Sequence, residues 1–349
     1  MSRKLLSYTA IGLILGSTAI ADVPKVAVDI APVHSLVARV MDGVGSPKLV
    51  IPAGASPHEY SLRPSEAKSL QDADMVIWIG EDLAPWMENS IETLSKNAEV
   101  ITLLKESETK LLEFREGALF EEHDHGDHDD HGDHDDHDDH DKDHDDHDDH
   151  DHDKDHDDHD DHDDHDDHDD HGDHDGHAHG EHDPHAWLSI ENAQTWLNLV
   201  AGKLSAADPE NAGVYFANAA AAREEINDLV KEVNSILEPV RGRNFVVFHD
   251  AYQYFETSFN FPAAGAISLG DATDPSAARI AEIQGRVKDE GINCVLSEPQ
   301  YNANLVATVL SGTDAKTGVI DPLGLGLEPG PKLYGDLIRN MAKALAGCL

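Results

Sequence analysis

Met75-Val76-Ile77-Trp78-Ile79-Gly80 is a continuous apolar run ending in glycine. Unbroken apolar character, without alternation, is the pattern of a strand buried on both faces, as in parallel sheets. The chain around it alternates. Upstream, Val26-Ala27-Val28-Asp29-Ile30 and Leu49-Val50-Ile51 read as short strands, and the spacing over 34–41 is helical. Pro64-Ser65-Glu66-Ala67 opens a further helix, because a first helical turn does not need the N–H that proline lacks. Downstream, a helix is predicted over 84–96 and a strand over 100–103. Strand, helix and strand in succession imply a parallel sheet covered by helices.

The second half repeats the pattern. Helices are predicted over 190–204 and 209–237; the second carries Ile226, Leu229, Val230, Val233, Ile236 and Leu237 at helical spacing and is long enough to be a strut. Asn244-Phe245-Val246-Val247-Phe248-His249 restarts the strands, with more expected over 264–267, 293–296 and 319–321 and helices over 275–289, 302–310 and 332–346. The predicted fold is α/β: two lobes with mainly parallel sheets covered by helices, joined by one long helix. The first lobe is placed at 22–208, the helix at 209–240 and the second lobe at 241–349.

One stretch inside the first lobe cannot join a core. Residues 121–182 hold 33 acidic residues, Lys142 and Lys154 as the only bases, and 21 of the chain's 25 histidines. Low hydrophobicity and dense like charge leave no apolar area to offset chain entropy, so a disordered insertion is expected. A solubilising acidic tract needs no histidine; imidazole beside carboxylate points to capture of zinc, copper or nickel. Such sites should be weak, because an unordered chain loses entropy in wrapping a cation and the carboxylates favour protonated imidazole. The formal net charge of −45 excludes nucleic acid as a partner and suits a protein that attracts cations.

Arg3 and Lys4 precede an apolar stretch over 5–20 that ends in Ala19-Ile20-Ala21. This is the build of a secretory signal peptide over 1–21, with the mature chain starting near Asp22 in the periplasm. In an exported chain the only two cysteines, Cys294 and Cys348, are most simply one disulfide. Without a C-x-x-C spacing they make a poor thiolate site for zinc.

Four histidines lie outside the acidic stretch: His34, His58, His185 and His249. His34 falls on an apolar helix face with Leu36 and Val37 and reads as structural or capping. The other three are predicted where strands hand over to loops, the edge of a parallel sheet at which ligands gather. Three imidazoles there would suit zinc, although three separated histidines are weak evidence by themselves. Gly324-Leu325-Gly326 lacks the remaining glycine of a dinucleotide fingerprint and reads as turn chemistry.

The motifs Gly54-Ala55-Ser56-Pro57-His58-Glu59-Tyr60, Asp183-Pro184-His185-Ala186-Trp187, Phe248-His249-Asp250-Ala251-Tyr252, Glu298-Pro299-Gln300 and Asp321-Pro322-Leu323-Gly324 resemble, in order and over nearly all of the chain outside the insertion, those of the zinc-uptake solute-binding proteins of ABC transporters, the ZnuA-like group. The resemblance implies two lobes bridged by a long helix and Zn2+ in the cleft between them. It also implies delivery to a membrane permease by a monomer that is not an enzyme. The implied ligands are His58, His185 and His249, with Asp321 or water as the fourth and Glu298 supporting from behind. Some relatives use a glutamate just before the first histidine; here that position is Pro57. Manganese-binding relatives carry a glutamate where this chain has His249. The acidic stretch would then be an auxiliary zinc collector or sensor. The alternatives are a manganese importer component, a periplasmic zinc buffer, and a metallohydrolase using the same histidines.

Overall fold

The computed structural model describes residues 22–115, 182–268, 276–289, 291–300, 306–308 and 310–349. The signal-peptide and acidic-insertion readings, and most of the helix expected over 302–310, lie outside the described residues.

The first lobe is built on a parallel sheet of order β2-β1-β3-β4: β1 (Val26–Val28), β2 (Lys48–Leu49), β3 (Met75–Trp78) and β4 (Glu99–Thr102). Every residue of β1 and β3 is buried, as the apolar runs require. Alternate residues face opposite ways. Ala27, Val76 and Trp78 pack with Leu70, Met87 and Ile91 from α2 (Pro64–Gln71) and α3 (Pro85–Leu94). On the other side Val26, Val28, Met75 and Ile77 join the main core with Leu36 and Val37 of α1 (Ala31–Val40).

The second lobe repeats the topology with a parallel sheet of order β6-β5-β7-β8, formed by β5 (Phe245–His249), β6 (Gly265–Ser268), β7 (Cys294–Ser297) and β8 (Lys316–Val319). The last strand falls earlier than the apolar pattern of 319–321 predicts. Its register is set by pairing, Cys294 with Lys316 and Ser297 with Val319, and three of its four residues are exposed. An edge strand with so little burial leaves no apolar signature.

Between the sheets run α4 (Ile190–Ala207) and α5 (Ala212–Leu237). The 26 residues of α5 span about 39 Å at the α-helical rise. Its buried stripe, Tyr215, Ala219, Ala222, Ile226, Leu229, Val233 and Leu237, packs on α1 and α4 and on α8 (Leu333–Cys348), so one helix touches elements of both lobes. It starts later than the predicted residue 209. Asp208 accepts from Asn211 Nδ2 (2.7 Å) and the Tyr215 hydroxyl (2.8 Å), and residues Pro209–Asn211 form a separate 3₁₀ turn. α6 (Gln253–Phe259) and α7 (Ala277–Asp289) complete the second lobe. A disulfide joins Cys294 to Cys348 across 54 residues, as the cysteine count predicts, and ties the end of α8 to β7. Closing a loop of that length contributes about 4 kcal/mol on a chain-entropy basis. Among the described residues no helix is long and apolar enough to cross a membrane.

Candidate metal centre

In a sheet of this order the crevice opens where neighbouring strands send their connections to opposite faces, between β5 and β7 in the second lobe. His249 is the last residue of β5 and Glu298 is the first beyond β7. His249 Nδ1 lies 3.2 Å from Glu298 Oε1, and both side chains are buried. The ladder thus fixes the backbone of His249 while a carboxylate fixes its ring. Gln300 Nε2 donates to the other oxygen, Glu298 Oε2, at 3.3 Å.

Where the sequence suggests a strand end, the described residues before His185 show only the bridge of His182 to Glu113, and His185 precedes the 3₁₀ turn Ala186–Leu188 that leads into α4. It is held by Asp183. One carboxylate oxygen, Oδ1, accepts from the His185 backbone N–H at 3.0 Å and sits 2.7 Å from its Nδ1. A carboxylate at that distance puts the proton on Nδ1 and leaves Nε2 with its lone pair exposed to the pocket. Nε2 is buried and has no hydrogen-bond partner. Asp183 is itself anchored: its N–H donates to the Leu112 carbonyl (2.9 Å) and its carbonyl accepts from the Tyr254 hydroxyl (3.0 Å).

His58 comes from the first lobe, on the loop over 52–63 beyond β2. No sheet holds it, so side chains do. Trp86 Nε1 donates to the Pro57 carbonyl at 2.7 Å, and the Tyr60 ring packs on Trp86 with centroids 5.8 Å apart. The Tyr60 hydroxyl donates to Glu66, which also accepts the Arg63 N–H at 2.7 Å and so caps α2. His58 remains half-buried.

The three rings converge. Their centroids are 4.8 Å apart for His185 and His249, 5.6 Å for His58 and His185, and 6.1 Å for His58 and His249. One ring nitrogen from each lies within 4.8 Å of the others, the spacing of a shared cation. Between them is a cavity of about 10 Å³, walled also by Trp187, Pro322 and Leu323, room for about one water-sized sphere. A buried imidazole nitrogen without a partner, facing two more imidazoles across an ion-sized space, fits a borderline cation that takes nitrogen donors.

Two other sequence-predicted residues stand apart from this group. Asp321 is not among the clustered ligands; its oxygens accept the backbone N–H groups of Leu323, Gly324 and Leu325 at 3.0, 2.9 and 2.6 Å. His34 is buried in α1, with Nε2 3.2 Å from the Pro47 carbonyl, and burial pushes its imidazole below the usual range. Three functional contributions escape sequence reasoning: the orienting role of Asp183, the pinning of the His58 loop by Trp86, and a buried cluster beside His249. In that cluster Arg115 pairs with both Asp250 and Glu256. Burial opposes the guanidinium charge, but the two carboxylates outweigh it and hold Arg115 firmly protonated. The Asp183 signal was present, since an aspartate two residues before a histidine can reach its Nδ1.

The sequence and fold have known counterparts. Residues 26–348 match the family described as "Zinc-uptake complex component A periplasmic". The high-affinity zinc uptake system protein ZnuA of Paracoccus denitrificans (strain Pd 1222) is 46% identical over 339 residues, covering 96% of this chain and 95% of that protein. A crystal structure of ZnuA shares the fold with TM-score 0.68 at 19% identity, over 94% of this chain and 99% of that one. A manganese-bound periplasmic metal-binding protein from Candidatus Liberibacter asiaticus shares it with TM-score 0.66 at 18% identity, over 93% and 98%. The fold therefore serves more than one metal, while the match along the sequence is specific: this chain belongs to the periplasmic zinc-uptake component A family.

Proposed function

We propose that this protein captures Zn2+ between its lobes on His58, His185 and His249 and hands it to the permease of an ABC importer. The observation that carries the reading is His185, whose Nε2 is buried without a partner and which offers a ring nitrogen within 4.8 Å of one on each of two other imidazoles. Zinc is cargo here, so the chemistry is ligand exchange. Each imidazole must be neutral to bind, so protons compete with zinc and affinity should fall in acid. Asp183 and Glu298 keep two of the rings in the binding orientation, and water completes a four-coordinate shell. Family membership and the relative named for high-affinity zinc uptake support the assignment.

Manganese fits less well. It favours oxygen donors, yet Asp183 and Glu298 lie against the Nδ1 side of the histidines and Asp321 is committed to three backbone N–H groups. A hydrolase would need room for a substrate beside the metal, and a cavity of about 10 Å³ holds a single small ion. The rest of the proposal follows the sequence. The chain is exported by a signal peptide over 1–21, works as a periplasmic monomer with lobes over 22–208 and 241–349, and uses the histidine-rich stretch over 121–182 as an auxiliary collector or sensor. Zinc uptake by cells lacking their own binding component, supplied with this chain or with its His185→Ala variant, tests the transport role. Uptake restored by the first and not the second is expected; equal uptake from both contradicts it.

A further inference from the structure

Asp321 organises a short loop that closes the pocket from the second lobe. Accepting three successive N–H groups on one carboxylate is charge-assisted and holds the backbone of 321–325 in a tight turn. Gly324 takes the left-handed conformation within it, at φ 77°. The turn is anchored behind: the Pro322 carbonyl accepts Trp187 Nε1 at 2.9 Å, and the Trp187 carbonyl accepts the Tyr334 hydroxyl at 3.1 Å. Leu323 lines the metal pocket itself.

Leu325, two residues on, reaches the first lobe. A Cβ added at Gly54 would lie 2.4 Å from Leu325 Cδ1, far inside van der Waals contact, so the leucine rests on bare glycine backbone. Gly54 has φ +89°, and it lies four residues before His58 on the same loop. Among the described residues Leu325 is also one of the few large apolar side chains left exposed, at 44%. A leucine outside both cores, seated on the ligand loop of the opposite lobe, bridges the cleft beside the metal pocket.

We propose, on the zinc reading above, that residues 321–327 are a latch: Leu325 bears on Gly54 to hold the His58 loop closed, Asp321 is the positioning residue that aims Leu325, and the contact sets how fast zinc leaves. Asp321→Asn separates this from a ligand role. Asparagine keeps an acceptor for Leu323 and Gly324 but offers an N–H where Leu325 donates, so it should release Leu325 alone.

The test is stopped-flow transfer of zinc from the loaded full-length chain to excess chelating dye, with the cleft phase identified as the one that His249→Ala removes. Leu325→Ala should speed that phase roughly five- to tenfold, the effect of a half-buried leucine, and leave zinc association unchanged. Asp321→Asn should speed it comparably, and the double variant should be no faster than the quicker single. Wild-type release from Leu325→Ala, or fully additive effects of Leu325→Ala and Asp321→Asn, overturns the latch while leaving zinc binding intact. A wild-type chain that shows no cleft phase for zinc overturns the zinc reading and the latch with it.

Discussion

The two sheets have the same strand order and opposite uses for the crevice it creates. In the second lobe the space between the ends of β5 and β7 holds His249 and Glu298. In the first lobe the matching space between β1 and β3 is filled by Asp29, wholly buried, whose carboxylate accepts the N–H groups of Ile30 and Ile79 at 2.7 Å each. One crevice is open for a ligand; the other is closed by its own side chain. The first lobe therefore contributes to the centre from a loop that reaches out from β2, and its histidine is the least buried of the three. The topology offers two equivalent sites, and the residue at the strand end decides which becomes one.

The comparison predicts an order of effects. Replacing His185 or His249 by Ala should cost more than a hundredfold in zinc affinity, beyond the 10–100-fold typical of losing a hydrogen-bonded partner behind a ligand. His58→Ala should cost less, being the half-buried ligand on the loop. Competition with a chelator of known strength ranks the three, and a His58 effect exceeding both others would invert the account of the lobes. Next, Asp183→Asn and Glu298→Gln should each weaken zinc by about 10–100-fold without unfolding the protein; unchanged affinity in both would mean the rings need no orienting. Trp86→Phe removes the donor to Pro57 from the His58 loop and should weaken zinc by about fivefold, the worth of one ordinary hydrogen bond.

The last prediction concerns the closed crevice and is read in stability, with no change in zinc binding. Burial pushes the Asp29 carboxyl up to about 7 from its ordinary 3.8, against the lowering influence of the Ile79 and Ile30 N–H groups. A folded value above the unfolded one means that this stabilisation is full below about 4 and is lost as pH rises through about 7. Asp29→Asn should flatten the fall in stability over that window by up to about 1.4 kcal/mol per pH unit while leaving zinc affinity as it is. Denaturant midpoints at several pH values measure this, and parallel profiles for the two proteins would refute it.

The alternation of strands and helices was legible because the central strands are apolar on both faces, and the long helix because its buried stripe repeats at helical spacing. The edge strand β8 lies earlier than its apolar pattern suggests, since its position depends on partners rather than on its own residues. His249 was legible as a strand-end residue. His185 is marked in the sequence only by the Asp-Pro-His motif, because among the described residues just one bridged residue, His182, stands before it. Asp321 reads two ways for a physical reason: a carboxylate at a strand exit can meet a cation or the N–H groups of its own turn, and sequence spacing serves both. Nothing local announces that Trp86 reaches the carbonyl of Pro57, because that contact exists only once α3 is packed.

Calorimetric titration of zinc, and separately of manganese, into residues 22–349 lacking 122–178 tests the three-histidine site most directly. The flanks of the acidic stretch are already held together where Glu113 bridges His182 and the Asp183 N–H meets the Leu112 carbonyl. One tight zinc site, much weaker manganese binding and loss of the zinc site on His249→Ala are expected. Zinc binding that vanishes with the excised residues, or that survives His249→Ala unchanged, would contradict it.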